Sequence, residues 1–470
     1  MSGRDGGALA LLLHTHMPYV EGFGTWPFGE EWLWEALAGS YLPLLELLDE
    51  GAPVTLSLTP VLCDQLEVPG LDARFHRFVE EVRRETHAED AAGLRAGGYE
   101  QLAAEVDRSF GDYARASESL RGRGGDILGA LAPHAAWTSA ATHAILPLLA
   151  TEAGVREQVR SGIRSHLRRF GPGWRGGFWL PECAYEDALG PVLLEAGARV
   201  VCVELTNRLG LGAGEHLRPI GADSGLTLVP IDRATMSLVW SDDGYPAAGA
   251  YRDYHHHTVH HHNPWRNDGE PYDRRAALAL AAEHAADFVR RTRERLAAHG
   301  GGLALCALDT ELLGHWWYEG VDWLRCVVGE CEAQGLDLMR LDDALERFEP
   351  GPQPDGLDWP PCSWGAGGDL STWSGPTVAE HAFAARAAEL DVLVSGHAAG
   401  PAALRELMAL QASDWPFMVS RGLAVPYARE RMERHGVALR DALAAGCAAS
   451  QEGLRNLAVD ADPGAFLEPL

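Results

Sequence analysis

Lysine is absent from the chain, so arginine supplies all 39 of the basic side chains other than histidine. Aspartate and glutamate together number 67, which leaves a formal net charge of −28. This excess of acid argues against nucleic acid or an anionic membrane as the main partner, and it suits a neutral substrate. The sequence also lacks any apolar run of the roughly 18 residues that a bilayer span requires.

Cysteine pairs with regular spacing are missing as well. The eight cysteines are scattered without a CxxC pair, so we expect neither a disulfide framework nor a cysteine-based zinc site. The apolar run Ala8–Leu13 is short, and histidines follow where a signal peptide would have its cleavage site, so we expect a cytoplasmic protein. Hydrophobic residues make up 46% of the 470 and charged residues 23%, which predicts a globular protein with a large core.

Short apolar runs and helical patterns alternate along the first two thirds of the chain. Apolar strands that alternate with helices are typical of a parallel sheet covered on both faces. With six or more such units, we predict an α/β fold built on a (β/α) barrel. The predicted strands are Ala8–His16, Pro53–Thr59, Gly177–Glu182, Ala198–Leu205, Leu226–Ile231 and Leu303–Thr310, and the predicted helices include Glu30–Leu48 and Arg274–Ala298.

Three further stretches indicate how the chain is divided. Gly70–Gly125 has a helical pattern without a strand candidate, so we predict a helical insertion on the barrel. Residues 232–273 have little periodicity and many aromatic and histidine residues, which indicates a long functional loop. The proline-rich stretch 349–362 is the predicted linker between a catalytic barrel, 1–348, and a helical C-terminal domain, 363–470.

Acidic residues follow two of the predicted strands at the end where a barrel carries its active site. Glu182 comes after Pro181, and Asp309 ends the last strand with Glu311 two residues further on. The structural alternatives are a helix N-terminal acid for Glu182 and a strand-end cap for Asp309. Two isolated acids on different strand ends suit glycosidic chemistry, in which one carboxylate attacks or stabilises the sugar cation and the other handles the proton.

Histidine and tryptophan supply the other candidate ligand contacts. His14 and His16 point to the same face of the first strand, which serves either to bind a metal or to hydrogen-bond sugar hydroxyls. No cysteine or closely following aspartate accompanies the pair, so no metal site is predicted. The run His255–His262 is interpreted as an exposed loop that would bind nickel or zinc adventitiously. The 15 tryptophans favour stacking on the flat faces of sugars.

Six motifs join these candidates into one pattern: His14–Tyr19, Thr142–His143 with Leu146–Pro147, Trp179–Tyr185, Asp309–Gly320, Ser363–Gly368 with Trp373, and Ser413–Phe417. The pattern resembles glycoside hydrolase family 57 nearly from end to end, and within it the α-1,4-glucan branching enzymes. The third and fourth motifs, WLPECAY and DTELLGHWWYEG, are long and specific.

The resemblance implies a retaining enzyme on an incomplete (β/α)7 TIM-like barrel with a helical insertion and a C-terminal all-helical domain. It implies that Glu182 is the nucleophile and that Asp309 is the general acid and base. Tyr245, in a Gly-Tyr-Pro context, would lie on a mobile loop that shields the intermediate from water, and Trp265 would match an acceptor-side tryptophan. The remaining substrate contacts expected are His14, His16, His143 and His315 around the donor sugar, and Trp26, Trp179, Trp364, Trp373 and Trp415 along the glucan cleft.

The implied reaction is a double displacement on an α-glucan such as amylose, a glycogen-like polymer or a modified glucan. It requires the two carboxyl groups to be about 5–5.5 Å apart and needs no cofactor. An α-amylase or 4-α-glucanotransferase of the same family, a metal-dependent polysaccharide deacetylase and a catalytically silent glucan-binding protein are the alternatives. The sequence leaves the oligomeric state open.

Overall fold

The computed structural model describes residues 6–20, 29–354, 361–449 and 456–467. The strands found there are β1 Gly7–Thr15, β2 Thr55–Leu58, β3 Ala135–Ser139, β4 Phe178–Trp179, β5 Val200–Val203, β6 Ile220–Gly221, β7 Thr227–Pro230, β8 Gly302–Asp309, β9 Asp337–Met339 and β10 Gly351–Pro352. No helix among the described residues combines the length and apolar character needed to cross a bilayer.

Helices connect the strands and dominate the last quarter of the chain. They are α1 Glu30–Ala36, α2 Leu42–Asp49, α3 Pro60–Leu66, α4 Leu71–Arg77, α5 Arg84–Ala96, α6 Glu100–Gly122, α7 Ile127–Leu131, α8 Glu152–Phe170, α9 Leu189–Glu195, α10 Thr206–Leu209, α11 Arg233–Met236, α12 Arg274–Ala298, α13 Gly320–Gln334, α14 Leu341–Arg347, α15 Ser371–Ser374, α16 Ala379–Ser395, α17 Gly400–Leu410, α18 Asp414–Arg421, α19 Val425–Ala445 and α20 Pro463–Phe466. Two π-helical turns, Leu37–Tyr41 and Phe78–Arg83, interrupt this series.

The strands form an incomplete barrel. One parallel sheet has the order β4-β3-β2-β1-β8, and a second sheet pairs β5 with β7. An isolated parallel bridge between Gly177 and Val200 links the two sheets on one side. On the other side, the Asp232 N–H donates to the Leu305 carbonyl at 2.8 Å. The predicted fold class is therefore confirmed, and the Asp232–Leu305 hydrogen bond connects the two sheets on the side between β7 and β8.

Strand β1 is an interior strand of the first sheet. All nine of its residues are buried, because it is flanked by β2 and β8 and covered by helices. This burial explains the continuous apolar run that predicted the strand. All six predicted strands are present: β1 and β8 begin and end one residue earlier than predicted, and the other four are shorter. Strand β3 and the short strands β6, β9 and β10 were not predicted. The second half of β3 carries Thr138 and Ser139, whose hydroxyls bond the carbonyls of Gly162 and Trp179 at 3.2 and 2.8 Å, so it presents no continuous apolar run.

The predicted helix over Glu30–Leu48 is divided into α1, a π-helical turn and α2. Gly39 lies in the turn, and a Cβ atom there would stand 3.0 Å from the Gly314 carbonyl oxygen. The close approach of these two backbones places the loop that follows β8 against the π-helical turn between α1 and α2.

Helices α16 to α19 pack against the loops that follow the barrel strands. The apolar core they share includes Leu404, Leu407 and Met408 from α17 together with Tyr19 and Ala141 from the barrel. The C-terminal helices therefore reach the strand ends directly. The boundaries at residues 348 and 362 remain predictions.

Candidate active site

The carboxyl ends of the strands bring the predicted polar residues to one edge of the barrel. In the strand register, His14 of β1 lies beside Ser57 of β2 and beside Asp309, the last residue of β8. The hydroxyls of Thr15 and Thr310 are 2.7 Å apart and join the ends of β1 and β8. Histidine and acid thus share one place because their strands are neighbours, although they are far apart in sequence.

Glu182 lies in a single 3-10 turn, Pro181–Cys183, directly after β4. Its φ of 59° is left-handed, a conformation that costs a non-glycine residue on the order of 1–3 kcal/mol and that concentrates at functional sites. Helix α9 begins only at Leu189, so Glu182 is not a helix N-terminal acid. Its carboxylate accepts a hydrogen bond from the Trp364 indole N–H at 2.8 Å.

The surroundings of the two acids favour different protonation states. Burial raises the pKa of Glu182 to about 7, against the Trp364 hydrogen bond that favours the ionised form. Burial raises the pKa of Asp309 well above its ordinary value, and the negative charges of Glu311, Glu182 and Asp414 raise it further. These surroundings favour the protonated form of Asp309, whereas the Trp364 hydrogen bond favours the ionised form of Glu182, which is the division of roles that an acid and a nucleophile need.

Three histidines line the space between these acids. His14 and His143 share a hydrogen bond between their Nε2 atoms at 2.9 Å, and His143 Nδ1 lies 4.0 Å from Glu182 Oε1. Burial lowers the pKa of both His14 and His143 well below the usual value, so both rings are neutral. Burial also acts on His16, but the Asp414 carboxylate, 2.9 Å from its Nε2, outweighs it and raises the His16 pKa.

Two family profiles match the sequence. That of glycosyl hydrolase family 57 matches residues 136–352, and that of the C-terminal region of 1,4-alpha-glucan branching enzymes matches residues 388–459. A probable 1,4-alpha-glucan branching enzyme of Mycobacterium tuberculosis is 33% identical over 96% of this chain and 94% of its own length. The 1,4-alpha-glucan branching enzyme of Thermococcus kodakarensis is 31% identical over 91% of this chain and 72% of its own length. The chain belongs to glycosyl hydrolase family 57.

Solved structures share the fold of this chain. The crystal structure of the branching enzyme from Pyrococcus horikoshii superposes with a TM-score of 0.87 at 28% identity, covering 98% of this chain and 97% of that one. The α-amylase AmyC from Thermotoga maritima reaches a TM-score of 0.81 at 22% identity, covering 99% and 100% of the two chains, and shows the shared fold alone.

A metal ion fits the histidine cluster of this family 57 protein poorly. His16, His143 and Asp414 bring possible ligand atoms within 4.8 Å of one another. However, the rings of His16 and His143 are stacked, with centroids 4.0 Å apart and planes 18° apart. Two imidazoles that bind one zinc ion at about 2.0–2.1 Å would hold their ring centres roughly 5 Å apart. The geometry therefore favours hydrogen bonding to a ligand over coordination of a metal ion.

Several residues around the centre were not selected from the sequence. Glu311 is buried and accepts hydrogen bonds from the Tyr41 hydroxyl and from the His16 backbone N–H. Burial raises the pKa of Glu311 to about 7. Ser413 bonds His143 at 2.7 Å, next to the Asp414 contact with His16. Glu311, Ser413 and Asp414 stand inside the motifs, but only the fold shows which members of each motif face inward. Tyr41 carries no sequence signal.

Two of the predicted tryptophans, Trp179 and Trp364, lie beside the histidines and Glu182, and Trp240 lies next to Trp364. Trp179 is fully buried, and its ring stacks on that of His14 with the ring centres 4.7 Å apart, so it holds the histidine ring in position. Trp364 meets Trp179 edge-on at 5.0 Å and also lies 6.0 Å from Trp240. Trp240, which was not among the predicted site residues, is part of this wall.

Two other tryptophans are packing residues in the structure, which corrects the prediction that they contact the glucan. Trp373 is 2% exposed, and a Cβ atom at Gly365 would stand 2.7 Å from its ring, so it supports the turn that carries Trp364. Trp415 is fully buried, and its indole N–H donates to the Ala409 carbonyl at 2.9 Å. Neither ring has a face open to a ligand.

The predicted contacts from the loops also lie elsewhere. Tyr245 is buried against α12, with its hydroxyl donating to Asp287 at 2.7 Å. The ring of Trp265 is covered by His256 at 3.8 Å. His315 lines a separate cavity instead of joining the other three histidines. Trp26 lies outside the described residues.

Proposed function

We propose that this protein is a 1,4-alpha-glucan branching enzyme that cleaves an α-1,4-glucan and transfers the released segment to a 6-hydroxyl of a glucan chain. The proposal rests on two buried acids, Glu182 after β4 and Asp309 at the end of β8, which lie near enough for the charge of Glu182 to raise the pKa of Asp309. Membership of family 57 and the match of residues 388–459 to branching enzymes support it.

The proposed reaction has two displacements at one anomeric carbon. Asp309 gives its proton to the glycosidic oxygen while Glu182 attacks the anomeric carbon, which forms a glucosyl ester and releases the reducing-end segment. The acceptor 6-hydroxyl then attacks the same carbon, its proton passes to Asp309, and the bond to Glu182 breaks. Two inversions give net retention of the α configuration.

The histidines suit a neutral sugar as the reacting group. His14 and His143 are uncharged, so they can exchange hydrogen bonds with sugar hydroxyls without attracting an ion. His16 stays paired with Asp414, which leaves its charge compensated. The aromatic wall formed by Trp364 and Trp240 would hold the glucan and keep water from the ester, a requirement of any transferase.

Incubation with amylose, followed by debranching and chain-length analysis, tests the proposal. We expect new α-1,6 linkages with little new reducing sugar. Glu182→Gln should lower the rate by on the order of 10⁴-fold, because amide nitrogen and oxygen are poor nucleophiles. Glu186→Gln, in the same turn region, is the matched control and should keep activity. Reducing ends without α-1,6 linkages would identify an amylase, and unchanged activity in Glu182→Gln would exclude the catalytic role.

Removal of divalent metal should leave the reaction unchanged. The stacking of His16 on His143 does not suit coordination, and the proposed chemistry needs only the two carboxyls. We therefore expect equal branching rates with and without EDTA after dialysis, measured on the same amylose. Loss of activity in EDTA with recovery on adding zinc would instead support the deacetylase-like alternative.

A further inference from the structure

A cavity of about 420 Å³, here called the β8-side cavity, lies beside the carboxyl centre and is not used by the mechanism above. Its walls come from α1, from the insertion helices, from the loop over 252–263 and from the segment that follows β8. Histidines of the run His255–His262, which stood out in the sequence, therefore form part of the wall of this cavity. The volume lies in the range of small-ligand sites.

The wall of the β8-side cavity combines aromatic rings with unused polar groups. Trp32, Tyr254 and Trp316 line it, and Tyr254 meets His315 edge-on at 5.9 Å. Within the described part of the chain, the side chains of His315 and Glu31 form no hydrogen bond or salt bridge. Aromatic faces beside free acceptors and donors suit a ligand with apolar faces and many hydroxyls, as sugars have.

The charges around the cavity disfavour an anionic ligand. The guanidinium groups of Arg83 and Arg252 are paired with Glu35 and Glu105. Burial lowers the pKa of His87 and of His262 to about 3, so both rings are neutral. A phosphorylated or carboxylated ligand would find both of these guanidinium groups already compensated, whereas a neutral sugar needs no such partner.

The loop that forms one wall is anchored to the helical insertion. The Asp90 carboxylate on α5 accepts hydrogen bonds from the Thr258 hydroxyl, from the His260 N–H at 3.2 Å and from His262 Nδ1 at 2.7 Å. Three bonds to one carboxylate hold the loop in place before any ligand arrives, which lowers the cost of ordering it on binding.

The cavity lies on the Asp309 side of the barrel mouth. Its floor contains Gly39 and Gly314, and the residues after Gly39 bond the β8 end: the Ser40 hydroxyl donates to the Thr310 carbonyl at 2.9 Å. Glu182 follows β4, at the other end of the sheet order β4-β3-β2-β1-β8. In a double displacement, the sugars beside the acid and base are those of the leaving segment and the acceptor.

We propose that the β8-side cavity binds glucosyl units of the acceptor glucan, with Tyr254, Trp316 and His315 as its contact residues. The inference rests on the proposed function and specifies where that function places its second substrate. Occupation of this cavity would hold the acceptor 6-hydroxyl near Asp309 and let it compete with water for the glucosyl ester.

The partition between transfer and hydrolysis tests this inference. Tyr254→Ala removes an aromatic wall that is 44% exposed, and Glu31→Gln removes a charge from the same cavity. With amylose, we expect each variant to lower the ratio of new α-1,6 linkages to new reducing ends about fivefold, the effect of losing one modest contact. Tyr99→Ala, at a tyrosine 59% exposed elsewhere, is the matched control.

An unchanged ratio, or a parallel fall of both products, would overturn the inference. If the wild type forms no α-1,6 linkages, the proposed function fails instead, so the two failures are distinguishable. As a structural check, crystals of Glu182→Gln soaked with maltoheptaose should show glucosyl density between Tyr254 and Trp316. Density confined to the groove at Trp364 would equally overturn it.

Discussion

The indole of Trp364 and the charges around Asp309 act on the two central carboxyl groups in opposite directions. Trp364 donates to the Glu182 carboxylate and lowers its pKa, although burial leaves that pKa at about 7. Asp309 is buried among Glu311, Glu182 and Asp414, and each negative charge raises its pKa. A nucleophile that must be ionised and an acid that must be protonated predict a bell-shaped pH profile.

Removal of the Trp364 hydrogen bond should shift the acidic limb of that profile. In Trp364→Phe the ionised form of Glu182 loses a donor, so its pKa rises and activity is lost at a higher pH. We expect the acidic limb of kcat/KM to move up by about one pH unit, since a hydrogen bond to a charged group contributes roughly that much.

The matched control is Trp240→Phe, which changes the neighbouring indole of the same wall without touching the carboxylate. The acidic limb of the Trp240→Phe profile should remain at its wild-type pH. A limb that moves equally in both variants would mean that the wall as a whole, and not the hydrogen bond, sets the Glu182 pKa.

At the scale of elements, helix α16 is tied to the start of α8 by one buried acid. Glu389 is fully buried and accepts hydrogen bonds from the Ala150 N–H at 3.0 Å, the Thr151 hydroxyl and the Gln411 side-chain amide at 3.0 Å. Burial raises the pKa of Glu389. Three donors depend on this carboxylate, so it holds the C-terminal helices against the barrel.

Glu389→Ala should therefore destabilise the fold through unpaired buried donors. We expect a loss of about 3 kcal/mol, at about 1 kcal/mol for each unpaired donor. In a chain of 470 residues this corresponds to a fall of about 3 °C in the thermal unfolding midpoint. Calorimetry measures the shift, and Glu380→Ala, on the exposed side of α16, should leave the midpoint unchanged. Equal midpoints for both variants would contradict the anchoring role.

Whether the sequence predicted a given strand or helix depended on how continuous its apolar pattern is. The strands that are buried on both faces, such as β1 and β8, were predicted because their apolar runs are continuous. Strand β3 was missed because its polar Thr138 and Ser139 are satisfied by contacts that only the fold supplies. The helix bounds Arg274–Ala298 were predicted correctly, since the pattern there is uninterrupted.

At the scale of the whole molecule, the segment over residues 456–467 returns to the barrel. The Ala458 N–H donates to the buried Asp64 carboxylate at 2.6 Å, and the Asp462 N–H donates to the buried Glu157 at 2.8 Å. Leu457 is fully buried in the core that the C-terminal helices share with the barrel. The segment closes the contact between the two parts of the chain.

A chain that ends at Ala449 should keep its chemistry and lose stability. Two buried carboxylates lose backbone donors and an apolar core opens, so we expect the thermal midpoint to fall by about 5 °C. Branching at 25 °C should be retained, because the described residues of this segment do not reach Glu182 or Asp309. A chain that ends at Leu467 is the control. An unchanged midpoint in the shorter chain would show that the segment contributes nothing.

The sequence by itself determined the strands with continuous apolar runs, the two acids that follow β4 and β8, and the family, because apolar runs and contiguous motifs are local features of neighbouring residues. Only the tertiary structure decided which other side chains meet them. His16 bonds Asp414, a residue 398 positions away, while Trp415 beside it turns into the core. His315 and the histidine run meet in a separate cavity. Such contacts depend on how the C-terminal helices and the insertion pack on the barrel, and no local pattern records that packing.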